Sequence, residues 1–164
     1  MNNQIEPSIR GDEHPLGDFG QGLFFIFFLV LWILDSFVFK WTTFLSGYIP
    51  LAIRMLLLGI SLYFVFYISR QAHVVVLNRN AKLITDGVFS RVRHPIYLAM
   101  LLLYLGLSLS VLSLLSMGLW VLIFLFYNYI AGYEEKYLLS KYGKEYVQYK
   151  EKVRRWIPIV KRNS

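Results

Sequence analysis

Apolar residues run through this chain in long unbroken blocks, not at the spacing of a half-buried helix or strand. Phe19–Phe39 is the first block and has about the ~20 residues that a ~30 Å hydrocarbon layer requires. Asp35 lies inside it, and Lys40-Trp41 follows as an interface anchor. Thr42–Pro50, with Gly47 and Pro50, reads as a short turn. Leu51–Ser69 forms a second span with Arg54 near its start. Asp35 and Arg54 then fall near one membrane face on antiparallel neighbours, and the expectation is a structural or water-facing ion pair, not a catalytic one. Ile96–Ile130 holds 35 residues without a charge. As one helix it would measure about 52 Å, too long for one crossing. Ser108, Ser110, Ser113, Ser116 and Gly118 divide it into two short spans, 96–111 and 114–131, as a tight hairpin whose small residues allow close approach. Pro95 suits the first turn of the helix it opens.

The polar remainder fills in the rest. Residues 1–18 carry Pro7, Gly11, Pro15 and Gly17 and read as a flexible arm without the pattern of a signal peptide. Arg70–Arg93 is a basic linker. Within it Val74–Leu77 is a short apolar run, Asn78-Arg79-Asn80 a turn, Lys82–Ile84 a short extended piece and Thr85-Asp86-Gly87 a tight turn. Tyr133–Lys152 has Tyr137, Leu138, Tyr142, Tyr146 and Tyr149 at three-to-four spacing among lysines, interrupted at Gly143. It is expected to be an amphipathic helix on the membrane surface, ending at Arg154-Arg155-Trp156-Ile157-Pro158. The predicted fold is an all-α polytopic membrane protein. A single membrane domain over 19–164 has about four transmembrane helices, a tight C-terminal helical hairpin and a cytoplasmic amphipathic C-terminal helix.

Composition agrees. The chain is 57% hydrophobic with a mean hydropathy of +0.50, which removes it from the soluble class. Its 17 Lys and Arg outnumber 10 Asp and Glu, and five of them lie in Arg70–Arg93 and nine in Lys136–Arg162. Beside spans, such blocks mark the cytoplasmic side and contact anionic lipid, so nucleic acid is not an expected partner. Two spans separate the blocks, so both face the cytoplasm, and with them both termini. The absence of cysteine excludes thiolate nucleophiles and disulfides. His14, His73 and His94 show no ligand spacing, so no metal is expected.

Two polar clusters flank the uncharged segment: Arg93-His94-Pro95-Ile96-Tyr97 before it and Glu134-Glu135 after it. A hairpin returns its ends to one side, so these groups should meet. Such a pocket suits a zwitterion: the acid takes an ammonium, and His, Arg or backbone N–H groups take a carboxylate. Each residue also has a plainer use. Paired glutamates complement a helix dipole, His94 and Tyr97 can be interface residues, and Tyr146 and Tyr149 read as packing.

Arg93-His94-Pro95-x-Tyr97, then Glu134-Glu135-x-x-Leu138, Tyr142-Gly143-x-x-Tyr146-x-x-Tyr149 and Val153-x-Arg155-x-Ile157-Pro158 together resemble the isoprenylcysteine carboxyl methyltransferase family. That family belongs to a wider membrane group that includes phospholipid N-methyltransferases. The resemblance implies an S-adenosylmethionine-dependent methyltransferase acting on a lipophilic or prenylated acceptor, with its cofactor at the cytoplasmic face and held by residues within 81–158. It assigns cofactor binding to Lys82, Leu83, Ile84, Phe89, Arg93, His94, Pro95, Ile96, Tyr97, Glu134 and Glu135, with His94 and Tyr97 positioning and no certain catalytic residue. Ala99 stands where many members have Gly. Ile130 stands where the prenylcysteine enzymes have an Arg near the substrate carboxylate, so Ile130 and nearby Asn128 are the substrate-side candidates. A phospholipid N-methyltransferase, an NADPH-dependent sterol-type reductase with a similar His-Pro-x-Tyr element, and a non-catalytic membrane protein remain the alternatives.

Overall fold

The computed structural model describes residues 17–77 and 83–158; residues 1–16 of the expected arm, the Asn78–Asn80 turn and Lys82 lie outside these, and Gly17 and Asp18, expected in the arm, open the first helix instead. The described residues are helical and contain no strand. Helix α1 (Gly17–Ile33) passes directly into a π-helical turn, Leu34–Phe39. A 3₁₀ turn at Phe44–Gly47 leads to α2 (Leu51–Leu77), and another at Gly87–Ser90 precedes α3 (Pro95–Val111). Helix α4 (Leu114–Tyr142) follows after two residues, and α5 (Lys144–Lys152) after one more break.

Among the described residues three stretches are long and apolar enough to cross a membrane: Phe19–Phe39, Leu51–Val75 and Leu114–Tyr142. This is an integral membrane protein. Helix α3 is equally apolar but has only 17 residues, about 25 Å. It is the most enclosed helix. Ala99, Leu101, Tyr104, Gly106, Ser108 and Ser110 are all buried along it, between α2 on one side and α4 on the other.

Two expected boundaries are corrected. The second helix does not stop at Ser69 but continues to Leu77, so Arg70, His73 and the Val74–Leu77 run belong to it. Nothing in Arg70–Leu77 is a Gly or Pro, and a charged side chain alone does not end a helix. The fourth helix does not stop at 131 but runs to Tyr142. At 29 residues it is about 43 Å long, so its last turns exceed what a ~30 Å layer takes up. The break falls at Gly143, whose φ of 52° and ψ of −121° suit a residue without a Cβ. The amphipathic segment is thereby shortened to nine residues, which bury Tyr146 and Tyr149 and expose Lys144, Lys150 and Lys152.

The core joins α1, α3 and α4 through Phe28, Leu101, Tyr104, Ile123 and Tyr127. Two indole N–H groups donate to main-chain carbonyls of α3, Trp32 to Leu107 at 3.0 Å and Trp120 to Leu101 at 2.9 Å. The α2–α3 contact relies on small residues. Ser61 Oγ donates to Leu102 O at 2.5 Å, and a Cβ on Gly106 would collide with the Ser61 side chain.

Asp35 and Arg54 do not pair. Asp35 Oδ1 accepts from Thr42 N at 3.0 Å, and Oδ2 accepts from the hydroxyls of Thr42 and Ser113, each at 2.5 Å. Arg54 donates instead to Ser110 O at 3.2 Å. Hydroxyls and a main-chain amide satisfy the buried carboxylate without a second charge, which the expectation of an ion pair overlooked. Ser113 also caps α4, accepting from Ser116 N at 3.1 Å. The chain between α3 and α4 turns through Leu112 in the left-handed region, φ 53°. Asp35 thus fixes the turn from a different helix.

Substituting Gly106→Ala should lower the thermal midpoint in detergent, by a destabilisation of about 1–3 kcal/mol. Adding Ser61→Gly should recover part of the loss. A Gly106→Ala protein that melts with the wild type would mean that α2 and α3 approach less closely than described.

Candidate functional site

The segment before α3 and the later turns of α4 meet at one end of the molecule. Pro95 at the first position of α3 fixes the chain direction, so His94 precedes the helix and Tyr97 rides on its first turn. Their rings lie parallel, with centroids 5.6 Å apart. His94 is 7% exposed and stands between two carboxylates: Nδ1 is 3.4 Å from Glu134 and Nε2 is 3.3 Å from Glu135. The Tyr97 hydroxyl donates to Glu134 Oε1.

The adjacent glutamates have different surroundings. Glu135 is 4% exposed and takes a bidentate pair from Arg155, Nε to Oε1 and Nη2 to Oε2, both 2.8 Å. Arg93 Nη2 adds a bond at 3.0 Å and Lys150 Nζ approaches to 3.7 Å. Glu135 therefore ties together the entry to α3, helix α4 and the segment after α5. The main chain closes the same junction, Arg93 N donating to Arg154 O at 3.0 Å. Glu134 is 18% exposed and faces a cavity of about 210 Å³. Leu83, Ile84, Phe89, Arg93 and His94 line one side of that cavity, and Leu138, Tyr142 and Tyr149 complete it.

Burial by itself would lower the His94 pKa, but the hydrogen bonds and charges of Glu134 and Glu135 outweigh it and raise the group above its ordinary value. Burial pushes the Tyr149 phenol up, so it remains a donor, bonding Phe89 O at 2.7 Å. Tyr146 is pushed up to about 12 by burial and by the charge of Glu135.

Of the residues singled out in the sequence, Leu83, Ile84, Phe89, Arg93, His94 and Glu134 line the cavity. Tyr97 stands behind His94 and Glu134. Pro95 is buried in the start of the helix, and Ile96 is 48% exposed and does not line this cavity. Glu135 belongs to the ion cluster, not to the cavity wall. On the substrate side, Ile130 is fully enclosed, and the Asn128 carboxamide oxygen is taken by Arg155 Nη1 at 2.8 Å and Trp156 Nε1 at 3.2 Å. Neither faces the cavity. Sequence reading missed Leu138, Tyr142 and Tyr149 as wall residues and Arg155 as the partner of Glu135. The three-to-four spacing of the aromatic residues was visible. Which side of that stripe met a void was not. Among the described residues no cluster of His, Asp and Glu could hold a metal ion.

An all-helical membrane protein with a charged, half-enclosed cavity at one end is the class these features define. The sequence profile of phospholipid methyltransferases matches residues 27–145. The chain belongs to that family. Its curated relatives include the protein-S-isoprenylcysteine O-methyltransferase of Schizosaccharomyces pombe, 35% identical over 92 residues, which are 54% of this chain and 39% of that protein. The corresponding protein of Saccharomyces cerevisiae is 33% identical over 92 residues (54% and 38%), and form B of Arabidopsis thaliana 31% over 91 residues (54% and 46%). The chain thus spans less than half the length of these relatives. The resemblance drawn from the motifs agrees with these matches.

Glu135→Gln should destabilise the protein by about 3–5 kcal/mol, because it strands the Arg93 and Arg155 guanidiniums in a buried site; thermal unfolding measures it. The raised His94 pKa stabilises the fold fully below the ordinary imidazole value of about 6.5, and that stabilisation is lost as pH rises through the higher folded-state value. The wild-type midpoint should therefore fall relative to that of His94→Gln as pH rises from the ordinary imidazole value through the higher folded-state one. Parallel pH profiles for the two proteins would contradict the charged His94–glutamate contact.

Proposed function

We propose that this chain is a membrane methyltransferase that uses S-adenosylmethionine to methylate a lipophilic acceptor. The observation that supports it best is the cavity lined by Glu134, His94 and Arg93 together with apolar side chains, with the Glu134 carboxylate held from behind by Tyr97. The wall suits a zwitterionic ligand. Glu134 offers a carboxylate to an ammonium, and Arg93 Nε is buried there without a partner, a donor for a carboxylate. Leu83, Ile84, Phe89 and Leu138 give apolar surface for a flat heterocycle. The void of about 210 Å³ is smaller than the ~300–1,000 Å³ of most ligand sites, so a whole cofactor must extend past it or widen it.

The cofactor would supply an electrophilic methyl group, and the reaction needs no covalent protein nucleophile, which suits a chain without cysteine. The residues of the chain hold and orient. Tyr97 and His94 fix the Glu134 carboxylate, and the clamp on Glu135 keeps Arg93 and the α3 entry in place. The apolar helices keep water from the reacting centre. In this reading α3 is a fourth, short span that forms a hairpin with α4. The basic stretches around Arg70–Arg93 and Lys136–Arg162 place the cavity and both termini on the cytoplasmic side. The acceptor then enters laterally from the bilayer. The relatives' names point to a prenylated cysteine, but the enclosed Ile130, in place of an Arg, offers no cation to a free carboxylate, which favours an acceptor without one at that point.

Calorimetric titration with S-adenosylmethionine is the direct test. Glu134→Gln should weaken binding by about tenfold to a hundredfold, the worth of one charge-assisted hydrogen bond. His94→Ala should weaken it as well, with both proteins still folded by circular dichroism. Wild-type affinity in both, or stabilisation of the wild type by NADPH and not by S-adenosylhomocysteine, would sink the proposal.

A further inference from the structure

A second cavity, about 430 Å³, lies at the end of α3 remote from His94, where Ser110 and Val111 close the helix. The π-helical turn, the following 3₁₀ turn and the start of α2 form its other walls. Lys40 and Arg54 both line it, and among the described residues neither has an acidic partner. Asp35 is nearby in sequence but does not line the cavity, and its oxygens are engaged by Thr42 and Ser113. Ser36 does line it. That residue is 8% exposed and its Oγ has no hydrogen-bond partner, a rare state for a buried hydroxyl. The buried Arg54 Nε is likewise unpartnered. Two cationic residues thus line one void together with Ser36, Thr43 and Ser46, and two of these side chains, Ser36 and Arg54, keep a buried polar atom unused by the fold.

The floor is apolar, and a largely apolar groove continues from it. Met55 belongs to both, and from there Leu56, Gly59, Ile60, Tyr63 and Phe64 carry the groove along the exposed face of α2. Gly59 leaves open space at its centre. A cationic, hydroxyl-lined head with an apolar trough leading down a membrane helix is the shape of an anionic lipid.

We propose that this cavity binds a phospholipid with a monoanionic phosphodiester headgroup. The phosphate sits among Lys40, Arg54 and Ser36, and an acyl chain lies along the Met55–Phe64 face. The site stands apart from the Glu134 cavity and does not depend on the reading given to it. It is a structural or regulatory lipid site at the opposite helix ends.

The test uses delipidated full-length protein in a mild neutral detergent, with native mass spectrometry and thermal unfolding as readouts. Phosphatidylglycerol should remain bound and raise the melting midpoint. Phosphatidylcholine of the same chains should do neither, and inorganic phosphate alone should not match phosphatidylglycerol. Ser36→Ala removes a hydroxyl that makes no bond in the fold, and Lys40→Gln alters an exposed side chain, so both should melt like the wild type without lipid. Lys40→Gln should bind phosphatidylglycerol about fivefold more weakly, the size of one cation–lipid contact. Ser36→Ala should weaken it in the same direction, and the double variant more than either. Equal retention of the two lipids, equal stabilisation by inorganic phosphate, or an unchanged double variant would each overturn the proposal.

Discussion

A buried carboxylate organises one end of this protein. Glu135 accepts from Arg155 and Arg93 and lies within 3.3 Å of the His94 ring. An ion so enclosed is tolerated only when several donors surround it, because its desolvation costs several kcal/mol. Those donors come from two separated parts of the chain and meet the carboxylate on a third. Meeting the needs of one charge therefore requires the entry to α3, the later turns of α4 and the tail beyond α5 to come together. The cavity is a consequence. Its wall is what remains on the side of α4 next to the clamp.

The far end is fixed by the same logic with different chemistry. Asp35 uses the hydroxyls of Thr42 and Ser113 and the amide of Thr42 to hold the α3–α4 turn against the π-helical end of α1. Between the two carboxylates, helix association has little hydrophobic force behind it, since lipid is as apolar as leucine. Close approach at Gly106 and Ser61 and the indole–carbonyl bonds of Trp32 and Trp120 take its place. Helix α3, too short to rely on length alone, is held by its neighbours along most of its surface.

The helical class, the first membrane stretch and the division near residue 112 were legible in sequence because each rests on a local signal: a run of apolar residues, a serine cluster, a Pro at a helix start. So was the meeting of His94, Tyr97 and Glu134, which follows once the chain turns back between 96 and 131. The helix ends at Leu77 and Tyr142 were not legible. A polar side chain is compatible with a helix, and whether its charge finds a partner is settled by tertiary structure. The Asp35–Arg54 pairing failed for the same reason. Charge signs suggest an ion pair, but a carboxylate is equally well served by hydroxyls, which carry no charge to notice. Arg155 was visible as a motif residue and as one basic residue among nine in its block, but not as the partner of Glu135.

The pair Glu134-Glu135 shows how one helix serves both structure and site. Consecutive residues on an α-helix point about 100° apart, so neighbouring carboxylates cannot share one set of partners. Here Glu135 turns to the arginines and is used up by the fold, and Glu134 turns to the cavity. His94 lies between them and touches both, and the Tyr97 hydroxyl donates to Glu134. A proton on the imidazole lies between two carboxylates, which is why the ring's pKa is raised despite its burial. That arrangement couples the cavity-facing acid to the structural one. A change of charge at Glu134, such as an ammonium ligand brings, alters the demand on His94 and through it on the Glu135 clamp. The cavity and the junction that shapes it are one electrostatic unit, so a cation seated against Glu134 should be felt at Arg93 and Arg155 although neither contacts it through Glu134 itself.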